Sequence, residues 1–310
     1  MHEAKVPVVV VSGWSPRASR EALEGQQPGW PVVVRPARAE PWVAERSLGC
    51  PCCMVRLDTR TALRRLLARR EPPEGIVVLT HPGEDPGPLL ATVLCDLLLV
   101  RRAHLDAFLV VVDGPEAAVR TATGQPFAAG SGQDHLALAD AILVGRGDRL
   151  TDQARDAVTA ALKAANPYSP VLRAGDGGGD GWLPRHHPGN GAYALGAVAS
   201  RLDAIAGAAP SSAGMTLLDI EGEGDADALR AWAAGLFREH GHRLLRLQAV
   251  CALRGRPERW ACSAFRSVYT FGACSPSPAG PPRARVLAVG RHLDVDRLSG
   301  SLQQALAAST

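Results

Sequence analysis

Lysine is nearly absent from this chain: Lys5 and Lys163 are the only two in 310 residues. Neither follows a glycine-rich loop, so no GxxxxGK[ST] phosphate cradle exists. Long apolar runs are missing too, and none approaches the ~20 residues of a membrane span. The start, MHEAKVPVVVV, has no small-residue cleavage site, so no signal peptide is expected. There is no GxSxG elbow, no HExxH helix and no carboxylate pair set for acid–base work, so no catalytic residue is assigned. Charge of one sign is not in excess: a net charge of +3 gives no global pull toward nucleic acid.

What is present suits an α/β protein. Hydrophobic residues make up 46% and aromatics only 5%, which implies a core of Val, Leu and Ala. Nearly all the basic residues are Arg, and Ala, Gly and Pro are abundant, a pattern of GC-rich bacterial genomes. Strands are expected at Pro7–Ser12, Pro31–Arg35, Gly75–Thr80, Ala107–Asp113, Ala141–Gly145 and Ser169–Arg173. The runs IVVLT and FLVVVD are apolar throughout, as in parallel strands buried on both faces. Helices are expected at Pro16–Glu24, Leu57–Arg70, Pro86–Val100, Gln133–Ala139 and Thr151–Ala165. Residues 1–174 thus read as one α/β domain and 175–214 as linker and helix around GDGGGDG and AGAAPSSAG. Residues 215–310 read as a smaller α+β domain, with strands at Met215–Ile220, Arg243–Arg254, Trp260–Tyr269 and Arg285–Gly290 and helices at Asp225–His240 and Asp296–Ala307.

Seven cysteines is an odd number, and three of them crowd into Gly49-Cys50-Pro51-Cys52-Cys53. That fits a reducing cytosol better than a disulfide framework. Three thiols within four positions can converge on one ion, and thiolates suit zinc or copper(I). The bland alternative is three small buried hydrophobes. A tetrahedral site needs a fourth donor or an open position, and Glu40, Glu45, His81 or a partner's side chain could supply it. His81 follows an expected strand end, where loops of a parallel sheet gather. Cys95, within LLATVLCDLLLV, and Cys251 and Cys262, on strands, are expected in the core.

The GCPCC segment after an N-terminal strand resembles the CobW family of G3E P-loop GTPases, which carry GCxCC and act in metal delivery. The resemblance implies a parallel-sheet P-loop GTPase-like domain with a CobW-type C-terminal domain. It also marks departures. Where the family opens a strand into GFLGAGKTTLL, this chain has GWSPRASREAL, matching only Gly13 and Leu23. Ser19 stands at the Lys position, Arg20 at the Mg²⁺-binding hydroxyl, and Pro16 at a glycine whose N–H would face phosphate. In IVVLTHPGEDP the family's acidic position is Leu79 and its switch glycine is Pro82. The guanine-reading NKxD loop corresponds to Gly145-Arg146-Gly147-Asp148, in which only Asp148 is kept. Gly13 and Asp148 are therefore the remnants of a nucleotide site, and bound GTP with Mg²⁺ is not expected.

The sequence thus points to a cytoplasmic zinc-homeostasis protein, a metallochaperone or sensor, with metal ligands Cys50, Cys52, Cys53 and His81. The family is one of GTPases, but the losses lean away from catalysis. Two alternatives stay open: a zinc-responsive adaptor for a ribosome or RNA partner, and a weak residual GTPase. A client metalloprotein is the partner of the first reading. For the adaptor, Arg56, Arg60 and Arg64 share one face of a helix and form an expected RNA-contacting stripe, or a merely solvated one.

Overall fold

A computed structural model describes residues 5–13, 15, 18–19, 21, 30–34, 51–80, 86–127, 131–173, 193–207, 214–265 and 268–308. The chain divides into two compact units, Met1–Gly191 and Ala192–Thr310.

The first unit is a parallel sheet wrapped by helices. Its strands are β1 Val6–Gly13, β2 Val32–Val34, β3 Ile76–Thr80, β4 Ala103–Asp113, β5 Ala141–Gly145 and β6 Val171–Arg173. They lie in the order β2-β3-β1-β4-β5-β6, all parallel, so β1 is central. Runs of β-branched residues make these strands. Val8, Val9, Val10 and Val11 are all buried, which requires cover on both faces. That cover comes from α1 Pro51–Leu67, α2 Gly87–Cys95, α3 Leu99–Arg102, α4 Gly114–Ala122, α5 Ser131–Leu138 and α6 Asp152–Ala165, the connections between successive strands.

Several details differ from the sequence expectation. The first described helix starts at Pro51 rather than Leu57. Proline suits the first helical position, where its missing N–H costs nothing. Cys52 and Cys53 therefore lie in the first turn of this helix. The helix expected over Pro86–Val100 is two helices, because Asp96 is extended (φ −69°, ψ 117°). Its carboxylate accepts the N–H groups of Leu98 and Leu99 at 3.0 and 3.1 Å, which starts the chain again as α3. Cys95 ends α2 there and is exposed, not in the core. Thr151 caps α6 as expected, its Oγ1 accepting the Ala154 N–H at 3.3 Å. Of the helix expected at Pro16–Glu24, most residues lie outside the described ones.

The second unit is an antiparallel sheet in the order β11-β10-β9-β12-β7, from β7 Met215–Glu221, β9 Leu244–Leu253, β10 Glu258–Phe265, β11 Val268–Pro276 and β12 Arg283–Gly290. The short β8 Glu223–Gly224 joins β9. The stretch expected as one strand over Trp260–Tyr269 is the hairpin of β10 and β11, closed by the pair Phe265 and Val268. One face carries Leu247, Trp260 and Val286 under α8 Ala226–His240 and α9 Val295–Ala307. α7 Leu195–Ala204 packs against the same sheet, and its Asp203 accepts both arms of Arg259 at 2.9 Å and Arg285 at 2.6 Å. Burying Val198 and Leu202 of α7 while pairing these arginines keeps the charges satisfied. Cys251 and Cys262 are buried in the core as expected, and burial pushes the Cys262 thiol up to about 12 and Cys251 further.

Candidate functional site

Parallel strands bring all their carboxyl ends to one edge, and β-strand, loop and helix start meet there. Gly13 ends β1 at this edge and is buried. A Cβ on Gly13 would lie 1.4 Å from Ser19 Oγ, so only glycine leaves room for Ser19. Ser19 is 1% exposed and turned inward, its Oγ donating to the Ser15 carbonyl at 2.9 Å. The Ser19 N–H donates to the same carbonyl at 2.9 Å, and the Ala18 N–H to Ser15 Oγ at 3.2 Å. The Ala18 and Ser19 N–H groups thus bond within the loop. Residues 14, 16, 17 and 20 lie outside the described ones.

Next to this corner Ser12, at the end of β1, shares a 2.5 Å hydrogen bond with Nδ1 of the fully buried His135 on α5. Phe108 meets the His135 ring edge-on, with centroids 5.9 Å apart. Thr80 ends β3 opposite Ser12 in register, and its buried Oγ1 has no hydrogen-bond partner among the described residues.

The guanine corner is occupied by a different arrangement. Asp113 ends β4 and pairs with Nη2 of Arg146. Arg146 sits in the left-handed region at φ 55°, directly after β5. Gly114 allows the close approach behind them, since a Cβ there would stand 3.0 Å from the Gly145 carbonyl. Gly145 in turn packs against Ala18, which ties the first corner to this one. Asp148 is exposed, within the 3₁₀ turn Gly147–Arg149. The Asp113–Arg146 pair escaped the sequence reading, in which Arg146 counted only as a lost lysine. Its signal was an acid closing an apolar strand and an arginine closing its neighbour.

The metal candidates are only partly described. Cys50, His81, Glu40 and Glu45 lie outside the described residues. Cys52 and Cys53 stand at the second and third positions of α1. That helix ends at the amino edge of the sheet, where Arg102 donates to the Leu67 carbonyl at 2.8 Å. As the crossover between β2 and β3 it returns from the carboxyl edge, so its first turn lies on that side. Among the described residues no three His, Cys, Asp or Glu side chains gather as a metal group.

The Arg stripe of α1 is partly spoken for. Arg64 donates to Asp96 at 2.7 Å and Arg60 stands 3.9 Å from it. Burial works to raise the Asp96 carboxyl, but the Leu99 N–H, Arg64 and the Leu98 N–H together hold it below the ordinary value. These two arginines therefore clamp α1 to the α2–α3 corner.

Two family models match the chain: the nucleotide-binding domain of CobW/HypB/UreG over residues 32–173, and the cobalamin synthesis protein CobW C-terminal domain over residues 216–306. Among solved structures it is similar to the Zn(II)-bound YjiA GTPase from E. coli, with a TM-score of 0.64 at 15% identity, covering 98% of this chain and 99% of that one. A Zn(II)-bound triple mutant of YjiA, in which one glutamate and two cysteines are changed to alanine, matches with the same TM-score of 0.64 and the same 15% identity.

Proposed function

The chain belongs to the CobW family, and from that premise we propose that it is a zinc-homeostasis protein whose nucleotide switch is silent. The observation that carries this reading is the inward turn of Ser19 against Gly13 while GCPCC stays whole. The donor set fits zinc: thiolates of Cys50, Cys52 and Cys53, with His81 as a fourth donor. A helix start favours negative charge, and Cys52 and Cys53 occupy the first turn of α1, where a metal-bound thiolate carries such charge. When bound, zinc supplies a Lewis-acidic, exchangeable centre suited to transfer or sensing. The protein's own part is to hold three soft donors on one side of the sheet.

The residues at the phosphate corner do not fit a nucleotide's polyphosphate. Ser19 offers no cation, Pro16 has no N–H, and the Ala18 and Ser19 N–H groups are already committed. Asp148 alone cannot hold a guanine edge against water. The zinc of the YjiA structures supports the metal reading by analogy of fold. The triple mutant adds a warning for its test: zinc in such a fold does not by itself name its ligands. A client metalloprotein is the partner this reading requires.

Elemental analysis of the purified, reduced protein, with bound nucleotide extracted and quantified, tests the proposal. About one zinc per chain and no GTP or GDP is the expected result. Stoichiometric guanine nucleotide held in a Mg²⁺-dependent way would overturn the silent switch, and absence of zinc under reducing, chelator-free conditions would overturn the metal role.

A further inference from the structure

The opposite edge of the parallel sheet carries a feature that the zinc reading leaves unused. Lys5 precedes β1, Arg69 and Arg70 follow α1, and Arg101 and Arg102 end α3. All five line one open cavity of about 540 Å³, with Glu74 as the single acidic residue among its described lining. Arg102 is engaged with the Leu67 carbonyl, where it also complements the negative end of the α1 dipole. For Lys5, Arg69, Arg70 and Arg101 no ion pair is formed among the described residues, and all four are exposed. Val6, Pro7, Leu67, Pro72 and Pro73 add apolar lining.

Four free cations around one concavity repel one another, and a cleft lined by one sign of charge concentrates anions from solution. We propose that this amino-edge cavity binds a small ligand bearing several phosphates. The volume lies within the range of small-molecule sites. The cations come from three separate chain segments and ring the cavity. A single-stranded nucleic acid instead calls for a charged groove along its backbone with aromatic rings for its bases, and no aromatic residue lines this cavity among the described residues. Guanidinium forks match phosphate oxygens two at a time, which suits three arginines here. A bare polyphosphate and a nucleoside polyphosphate share the chemistry. The apolar part of the lining gives the second a place for its base.

Calorimetric titration of the full chain, freed of metal and without divalent cations, tests the site. Inorganic triphosphate is the probe, with GTP and a short single-stranded RNA as further arms. Triphosphate should bind, and Arg69→Ser with Arg101→Ser should weaken it at least tenfold. A control double, Arg149→Ser with Arg238→Ser, removes the same charge from exposed positions outside the cavity and should change binding less than twofold. The melting temperature of the Arg69/Arg101 variant should match or exceed that of the parent, since two repelling charges are gone. GTP displacing triphosphate assigns a nucleotide as ligand, and triphosphate binding that GTP does not displace assigns a bare polyphosphate; both support the site. No triphosphate binding, undiminished binding in the Arg69/Arg101 variant, or equal loss in the control would overturn it. RNA binding that triphosphate does not displace would also overturn it, in favour of a nucleic-acid face. None of these outcomes bears on zinc.

Discussion

At the carboxyl edge of the parallel sheet Arg146 is held by Asp113, Ser19 by Ser15 and Ser12 by His135, whereas at the amino edge Lys5, Arg69, Arg70 and Arg101 face one opening with no carboxylate among the described residues paired to any of them. Loops at the carboxyl edge of such sheets usually present free donors to a ligand. Here Ser12, Ser19 and Arg146 are each turned on a neighbouring group. Its free positive charge sits at the other end of the strands. The lesson is that fold position and site chemistry separate: the sheet keeps its topology while the side chains decide which edge attracts anions.

The contrast can be broken first at Asp113→Ala. If the Asp113–Arg146 pair braces the carboxyl edge, removing its acid leaves a largely buried cation unpaired and should cost about 3–5 kcal/mol in urea unfolding. A loss below about 1 kcal/mol would show that Arg146 finds water and that the corner is open after all.

Gly13→Ala comes next, because its Cβ would collide with Ser19 Oγ. A cost of about 1–3 kcal/mol is expected. Ser19→Gly in the same chain should restore most of it, and failure of that rescue would mean that Ser19 does not fill the phosphate corner.

Asp96→Ala tests whether α1 is clamped rather than free, with an expected cost of about 1–3 kcal/mol from the lost charged hydrogen bonds. The folded Asp96 carboxyl is held below its ordinary value of 3.8. Its contribution is therefore complete above that value and fades as the pH falls beneath it. An acid titration of stability should lose part of its slope there in Asp96→Asn, and parallel curves would remove the clamp.

The smallest effect belongs to the amino edge. Arg70→Ala should stay within about 0.5 kcal/mol of the parent, because its side chain is exposed and makes no ion pair among the described residues. A clear destabilisation would mean that the cations there are structural.

Much of the architecture was legible in the chain. All six parallel strands were placed from the sequence, most clearly the buried β1, β3, β4 and β5, because a strand buried on both faces needs a long apolar run. Thr151 announced α6 through its cap. Elements defined by tertiary contacts were not legible. No helix was expected over the α4 segment GPEAAVRTA, which starts with Gly-Pro, yet Pro115 sits where a helix tolerates it. β11 was merged with β10 because only two residues separate Phe265 from Val268. Cys95 lay in an apolar run, and only the break at Asp96 turns it to solvent. At the site, the missing lysine was plain from composition, but the inward turn of Ser19 and the Asp113–Arg146 pair depend on how β1, β4 and β5 end side by side.

The most direct test of the zinc assignment is competition for zinc between a chelator and the full chain, with Cys52→Ser and Cys53→Ser combined as the comparison. Competition measures affinity, so weak zinc held elsewhere does not mask the outcome. The parent should hold about one zinc tightly, and less tightly as the pH falls, because protons compete for the thiolates. The double variant should stay folded, since a core of this size does not depend on the metal, and should lose at least a hundredfold in affinity. A double variant that holds zinc as tightly as the parent would contradict the assignment and return Cys52 and Cys53 to an ordinary place in α1.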